Sequence, residues 1–119
     1  MLLQNICKDM KYKQKDIVEI NFMLPNFQFK PHLAVIVSNN ELNEKEDFFY
    51  LVLISSKGYF PEYSYPLSDE MVTCKLTKKS YIKCQILTFD KENGVIHKAG
   101  KMREPYFSEM VNKIIASIF

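Results

Sequence analysis

The segment "DIVEINFM", Asp16 to Met23, sets Ile17, Glu19 and Asn21 against Val18, Ile20 and Phe22, and this period of two predicts a strand. "LPNFQFKP" follows as a loop, with Pro25-Asn26 as its turn signal. "HLAVIVS" reads as a second strand, and its unbroken apolar run predicts burial on both faces. "NNELNEKED" is polar throughout and reads as a solvated loop, whereas "FFYLVLISS", Phe48 to Ser56, reads as a third strand. "KGYFPEYSYPLSDE" is broken by Gly58 and Pro61, and Tyr63 and Tyr65 alternate within it as in a short edge strand. Beyond it, "MVTCKL" is a further candidate strand, "SYIKCQILTF" a long strand or bent pair, and "GVIHKAGKM" a shorter one.

The last segment changes period. Phe107, Met110, Val111, Ile114, Ile115 and Ile118 recur at steps of three and four, which is one face of an amphipathic helix. Pro105 stands where a first-turn proline is tolerated, so the helix is expected over 105–118. Many short strands followed by one terminal helix predict a mainly β fold, a small antiparallel barrel capped by that helix. With 119 residues, no internal repeat and no Gly/Ser-rich linker, the expectation is one domain over 1–119, with 1–11 as an N-terminal extension.

Charge and cysteine content narrow the picture only slightly. The net charge is +2, which leaves room for a local basic groove without announcing a nucleic-acid binder. Nearly all the basic residues are lysine, and Arg103 is the only arginine, the residue usually used as a bidentate phosphate clamp. Cys7, Cys74 and Cys84 are scattered with no C-x-x-C pair, which suits a reducing cytoplasm, and the last two read as small buried hydrophobes. Two histidines far apart in sequence make no metal motif, and no metal or cofactor is expected. No apolar run approaches the ~20 residues of a membrane-spanning helix, and "MLLQNICKDMKYK" has neither the long apolar stretch nor the cleavage site of a signal peptide. The expected location is therefore the cytoplasm, with no membrane partner.

Read in order, "YKQKDIVEINF", "PHLAVIVSNN", "YLVLISSK", "KKSYIKCQILTFDKENGVIHKAGKM" and the closing helix resemble the MazF/PemK (Kid) group of toxins of bacterial toxin–antitoxin systems. The resemblance runs from about Tyr12 to the end, and "SYIKCQILTFD" followed by "HKAGKM" is its most specific part. It implies an SH3-like barrel of the MazF/PemK/CcdB type, usually a homodimer. It also implies a metal-independent endoribonuclease that cuts single-stranded RNA and is held off by an antitoxin protein.

The resemblance has departures that bear on chemistry. The family usually places Arg-Pro before the second strand. Counting back from Ser38-Asn39 puts that arginine position at His32, and counting from the proline puts it at Lys30; the strand and its Ser-Asn end set the alignment, which favours His32. The family's Thr or Ser after the third strand matches Ser55, with Ser56 beside it. The Arg-Cys-Asp run of Kid-like members is matched by Lys83 and Cys84, with no aspartate following.

Metal-free RNA cleavage uses the 2′-hydroxyl as nucleophile. It needs a base, an acid for the leaving 5′-oxygen, and groups that stabilise charge on the phosphate. His32 is suited to proton transfer, Ser55 to orienting the phosphate, and Lys30, Lys57, Ser56 and Lys83 to binding it. Each also has an ordinary structural explanation. A histidine at the start of a strand is often merely packed, a serine at a strand end bonds its local backbone, and Lys13-Lys15 and Lys78-Lys79 read as solvated faces. The alternative function is a non-catalytic SH3-like module that binds protein or nucleic acid without cutting it. His32 and Ser55 on one concave surface favour the nuclease, and the two pointing apart favour the module.

Overall fold

The computed structural model describes residues 10–119. Cys7 and most of the expected N-terminal extension lie outside that range. Met10, at the end of the extension, is buried in the core.

Six strands form one antiparallel sheet: β1 Asp16–Met23, β2 Phe29–Ile36, β3 Phe49–Ser55, β4 Ser64–Leu67, β5 Ser80–Asp90 and β6 Val95–Lys101. Their spatial order is β4-β5-β3-β2-β1-β6. The barrel is not closed by strand pairing, because β4 and β6 are left as edges. The chain just beyond each strand narrows the gap: Val72 forms an isolated bridge with Met102, and the Thr73 N–H donates to the Lys101 carbonyl at 2.9 Å. "MVTCKL" therefore gives one bridge instead of a strand. Val72 and the half-buried Leu76 still pack on the core, which is why the segment carries a strand-like alternation.

The period of two sorts the sheet residues onto two faces. Ile17, Val35, Val52, Ile82 and Cys84 join Phe107, Met110 and Ile114 in one cluster, under the helix α2, Tyr106–Ile118. Val18, Ile20, Ala34, Ile36, Leu51 and Leu53 form the other, with Met10, Tyr12 and Phe49. The buried stripe of α2 is narrower than the sequence period suggests. Phe107, Met110 and Ile114 are buried, whereas Ile115 and Ile118 are 53% and 39% exposed. Two polar contacts fasten α2 to β4. Lys113 Nζ donates to the Ser64 carbonyl at 2.6 Å, and the Tyr65 hydroxyl donates to Glu109 Oε1 at 2.8 Å. Burial, followed by that bond to a carboxylate, raises the Tyr65 phenol well above its ordinary range, so it remains a donor. Among the described residues, no helix is long and apolar enough to cross a membrane.

Two further expectations change. The polar stretch after β2 is a helix, α1, Asn40–Glu46. The Asn39 side chain accepts the Leu42 N–H at 2.8 Å as an N-cap, Lys45 pairs with Glu41 four residues away, and Asp47 ends the helix in the left-handed region. Its buried residue is the polar Asn43, so no hydrophobic period marks it. Asn43 is held by Ser38: its Nδ2 donates to the Ser38 carbonyl at 3.1 Å and its Oδ1 accepts the Ser38 hydroxyl, whose oxygen in turn accepts the Tyr50 N–H. Replacing Asn43 with Ala leaves buried partners unpaired, and the expected cost is about 1–3 kcal/mol, read from the denaturant midpoint.

The second strand also differs from its expected form. It begins at Phe29, and only its Ala34–Ile36 end is fully buried. Pairing with β1 continues to Met23–Phe29, closed by a tight turn in which the Phe27 N–H donates to the Leu24 carbonyl. Residues Phe29 to Pro31 are exposed on that hairpin.

Candidate functional site

Pairing between β2 and β3 stops at Ala34–Leu53. Beyond it, β2 still follows β1, but Pro31 has no N–H to offer a neighbour. Residues 30–33 of β2 and 54–57 at the end of β3 line a groove of about 390 Å³ there. Two residues past the last pair on each strand, His32 and Ser55 both line this groove. The pleat puts both on the face of Ala34 and Leu53. The end of the ladder thus brings together two residues distant in sequence.

His32 is half-buried, with its ring edge-on to Phe22 at a centroid distance of 5.9 Å. Its Nδ1 lies 3.2 Å from the Lys30 carbonyl. A carbonyl only accepts, so this is a hydrogen bond when Nδ1 carries the proton. In the neutral ring that leaves the lone pair on Nε2. Ser55 Oγ accepts the Lys57 N–H at 3.1 Å, the local backbone bond expected of a strand-end serine, and its own hydroxyl proton remains available to donate.

Of the residues singled out in the sequence, Lys30, His32, Ser55, Ser56 and Lys57 all line this groove. Lys83 does not. It lies on β5, opposite Ser64 of β4, with its ammonium 5.8 Å from the centre of the Tyr59 ring. Lys57 approaches the same ring to 5.7 Å, so Tyr59 connects Lys83 to the rim. Cys84 is fully buried, and burial pushes its thiol up to about 11, so it is a core group and not a nucleophile.

Sequence reasoning missed the groove's other bank. Lys75, Leu76, Thr77 and Lys78 line it from the segment before β5, with Ser80, the first residue of β5. Lys78 had been read as part of a solvated face. The available signal was the alternation of lysine and hydroxyl residues in "KLTKKS". Four lysines and no carboxylate line the groove, which concentrates positive charge that the overall balance of +2 conceals. The lone arginine is elsewhere: Arg103 donates to the carbonyls of Glu70 and Val72 at 3.2 and 2.9 Å. His97 lies on exposed β6, 3.3 Å from Glu19. Among the described residues, no cluster of three or more His, Cys, Asp or Glu side chains is arranged to hold a metal.

The fold has close parallels among solved structures. A MazE–MazF complex from Deinococcus radiodurans aligns with a TM-score of 0.70 at 11% identity, over 91% of this chain and 98% of that one. An endoribonuclease from Mycobacterial species aligns at 0.66 and 15% identity, over 92% and 93%. An endoribonuclease bound to its cognate antitoxin, also from Mycobacterial species, aligns at 0.62 and 15%, over 89% and 90%. At such identities these parallels establish the fold alone. No curated protein matches the sequence. The family model described as PemK-like, MazF-like toxin of type II toxin–antitoxin system matches residues 13–118. That match spans the whole sheet, both banks of the groove and all of α2, and the chain belongs to this toxin family.

Proposed function

We propose that the whole chain works as one toxin domain, a metal-independent endoribonuclease that cuts single-stranded RNA. The observation that carries this reading is the convergence of His32 and Ser55 on one cationic groove free of carboxylates. In the proposed reaction the 2′-hydroxyl attacks the adjacent phosphorus, the bond to the 5′-oxygen breaks, and the products are a 2′,3′-cyclic phosphate and a 5′-hydroxyl. His32 Nε2 exchanges the proton, and the Ser55 hydroxyl orients a non-bridging oxygen. Lys30 and Lys57 offset the phosphate charge, with Ser56 and Lys83 at its margins.

Purified protein is incubated with a long single-stranded RNA and, in parallel, with DNA of the same sequence, both with excess chelator. The expected result is discrete RNA cuts ending in cyclic phosphate, with the DNA intact because it lacks the nucleophile. Binding of RNA without any cut under these conditions favours the non-catalytic module.

The partners proposed are an antitoxin protein and a second copy of this chain, within the cytoplasm. The complexes among the structural parallels support the first. The second is supported by a shallow cleft of about 310 Å³ lined by Leu42, Leu87, Val111 and Ile115, apolar surface that an isolated chain leaves in water.

A further inference from the structure

We propose that Lys75 and Lys78 are ligands of the RNA backbone phosphates, forming a second cationic bank that takes over charge supplied in the family by arginine. The assignment rests on the nuclease reading above and goes beyond it by naming where the substrate is gripped. An imidazole or an ammonium lacks the planar fork of a guanidinium, so neither His32 nor Lys30 alone can fix a phosphate in two directions as an arginine does. Lysines on opposite sides of a groove can. Lys30 and Lys57 approach from the strand side, and Lys75 and Lys78 approach from the segment before β5.

The charge state of these residues favours a ligand role. Lys13, Lys15, Lys45 and Lys98 are paired with Glu44, Glu104, Glu41 and Asp16. Among the described residues, none of the four groove lysines has a carboxylate partner, and none of the groove's lining residues is acidic. A groove that gathers unneutralised cations fits a polyanion.

The second bank is also held in place. Arg103 fixes the carbonyls of Glu70 and Val72, and Asp69 Oδ1 accepts the Leu76 N–H at 3.3 Å. Thr73 exchanges two hydrogen bonds with Lys101: its N–H donates to the carbonyl, and its Oγ1 accepts the Lys101 N–H at 2.9 Å. Gly100 allows this close approach, since a Cβ there would sit 2.8 Å from the Cβ of Cys74. Leu76 packs against the core between the two lysines. These contacts anchor the segment up to Leu76, and beyond Lys78 the Ser80 hydroxyl donates to the Lys78 carbonyl at 2.9 Å where β5 begins, so the two lysines need not be ordered from a free loop when substrate arrives. The only arginine thus serves the site indirectly, as a positioning residue for the lysine bank.

The test measures binding of a short single-stranded oligodeoxynucleotide, which has the backbone charge but no 2′-hydroxyl to react, across a range of salt concentrations. Wild type is compared with the double variant Lys75→Ala/Lys78→Ala and with Lys79→Ala, which lies off the groove lining. Each lost contact is expected to lower the slope of log affinity against log salt by about 0.7, so the double variant flattens it by about 1.4 while Lys79→Ala leaves it unchanged. RNA cleavage at subsaturating substrate falls in the same variant, with its thermal midpoint retained. A double variant that keeps the full slope, alongside a wild type that binds and cuts RNA, overturns this assignment and leaves the nuclease reading standing. A wild type that neither binds nor cuts overturns both.

Discussion

His32→Ala is expected to cut single-stranded RNA about 10²–10⁴ times more slowly than wild type, the range for losing a positioned general acid or base. At about 1.4 kcal/mol per tenfold, that is roughly 3–6 kcal/mol of barrier. The same substitution also removes the edge contact with Phe22, which is worth about 0.5–1.5 kcal/mol of stability. The two consequences separate cleanly: single-turnover cleavage reports the barrier, and a denaturant midpoint reports the packing. His32→Arg, which puts the family's residue back, is expected to keep RNA binding. Wild-type cleavage by a folded His32→Ala protein would show that the imidazole only packs at the start of its strand. The arginine position would then pass to Lys30, on the exposed part of β2.

Ile114→Asp is expected to abolish the native fold at ordinary temperature. Ile114 is 7% exposed and belongs to the cluster between α2 and the sheet. Aspartate there loses the apolar contact and places a carboxylate among Phe107, Met110 and their buried neighbours, a combination that costs several kcal/mol against a typical total stability of about 5–15 kcal/mol. The exposed Asn112, two residues away, is the control: Asn112→Ala is expected to change stability by no more than about 0.5 kcal/mol. Circular dichroism with a thermal scan reads both. An Ile114→Asp protein that melts like wild type would mean that α2 does not cover the sheet.

These two experiments probe features that differed in how visible they were. Ile114 was legible because burial writes a period into the sequence. The same is true of β1, β3, β5 and β6, whose observed limits lie within a residue or two of those expected. Helix α1 was not legible, because capping by Asn39 and the bonds of Asn43 hold it, and a polar buried residue leaves no apolar stripe. At the candidate site, the family resemblance pointed to His32 and Ser55, and both line the groove that opens where the β2–β3 ladder ends. Lys75 and Lys78 were hidden because hydrogen bonds between backbone segments far apart in sequence carry their loop back across the groove, a closure without a local pattern. Lys83, expected to add charge to the phosphate site, lies outside the groove lining. The register of β5 against β3 shifts between Val52 and Ile54, so counting along the sequence misjudges where a β5 side chain emerges.

The two edges of the sheet bear on how partners can join. β4 is four residues long and includes Pro66, which has no donor, while the ladder that places β6 beside β1 shifts register twice and β6 displays His97, Lys98 and Lys101. Short length, proline, irregular pairing and lysine all discourage the addition of another strand. Both edges are therefore poor templates for main-chain zippering, whether into an aggregate or with a partner's extended tail. Recognition has to be bought side chain by side chain, on the faces and in the grooves, where a change of sequence alters which partner is accepted without disturbing the sheet that presents it.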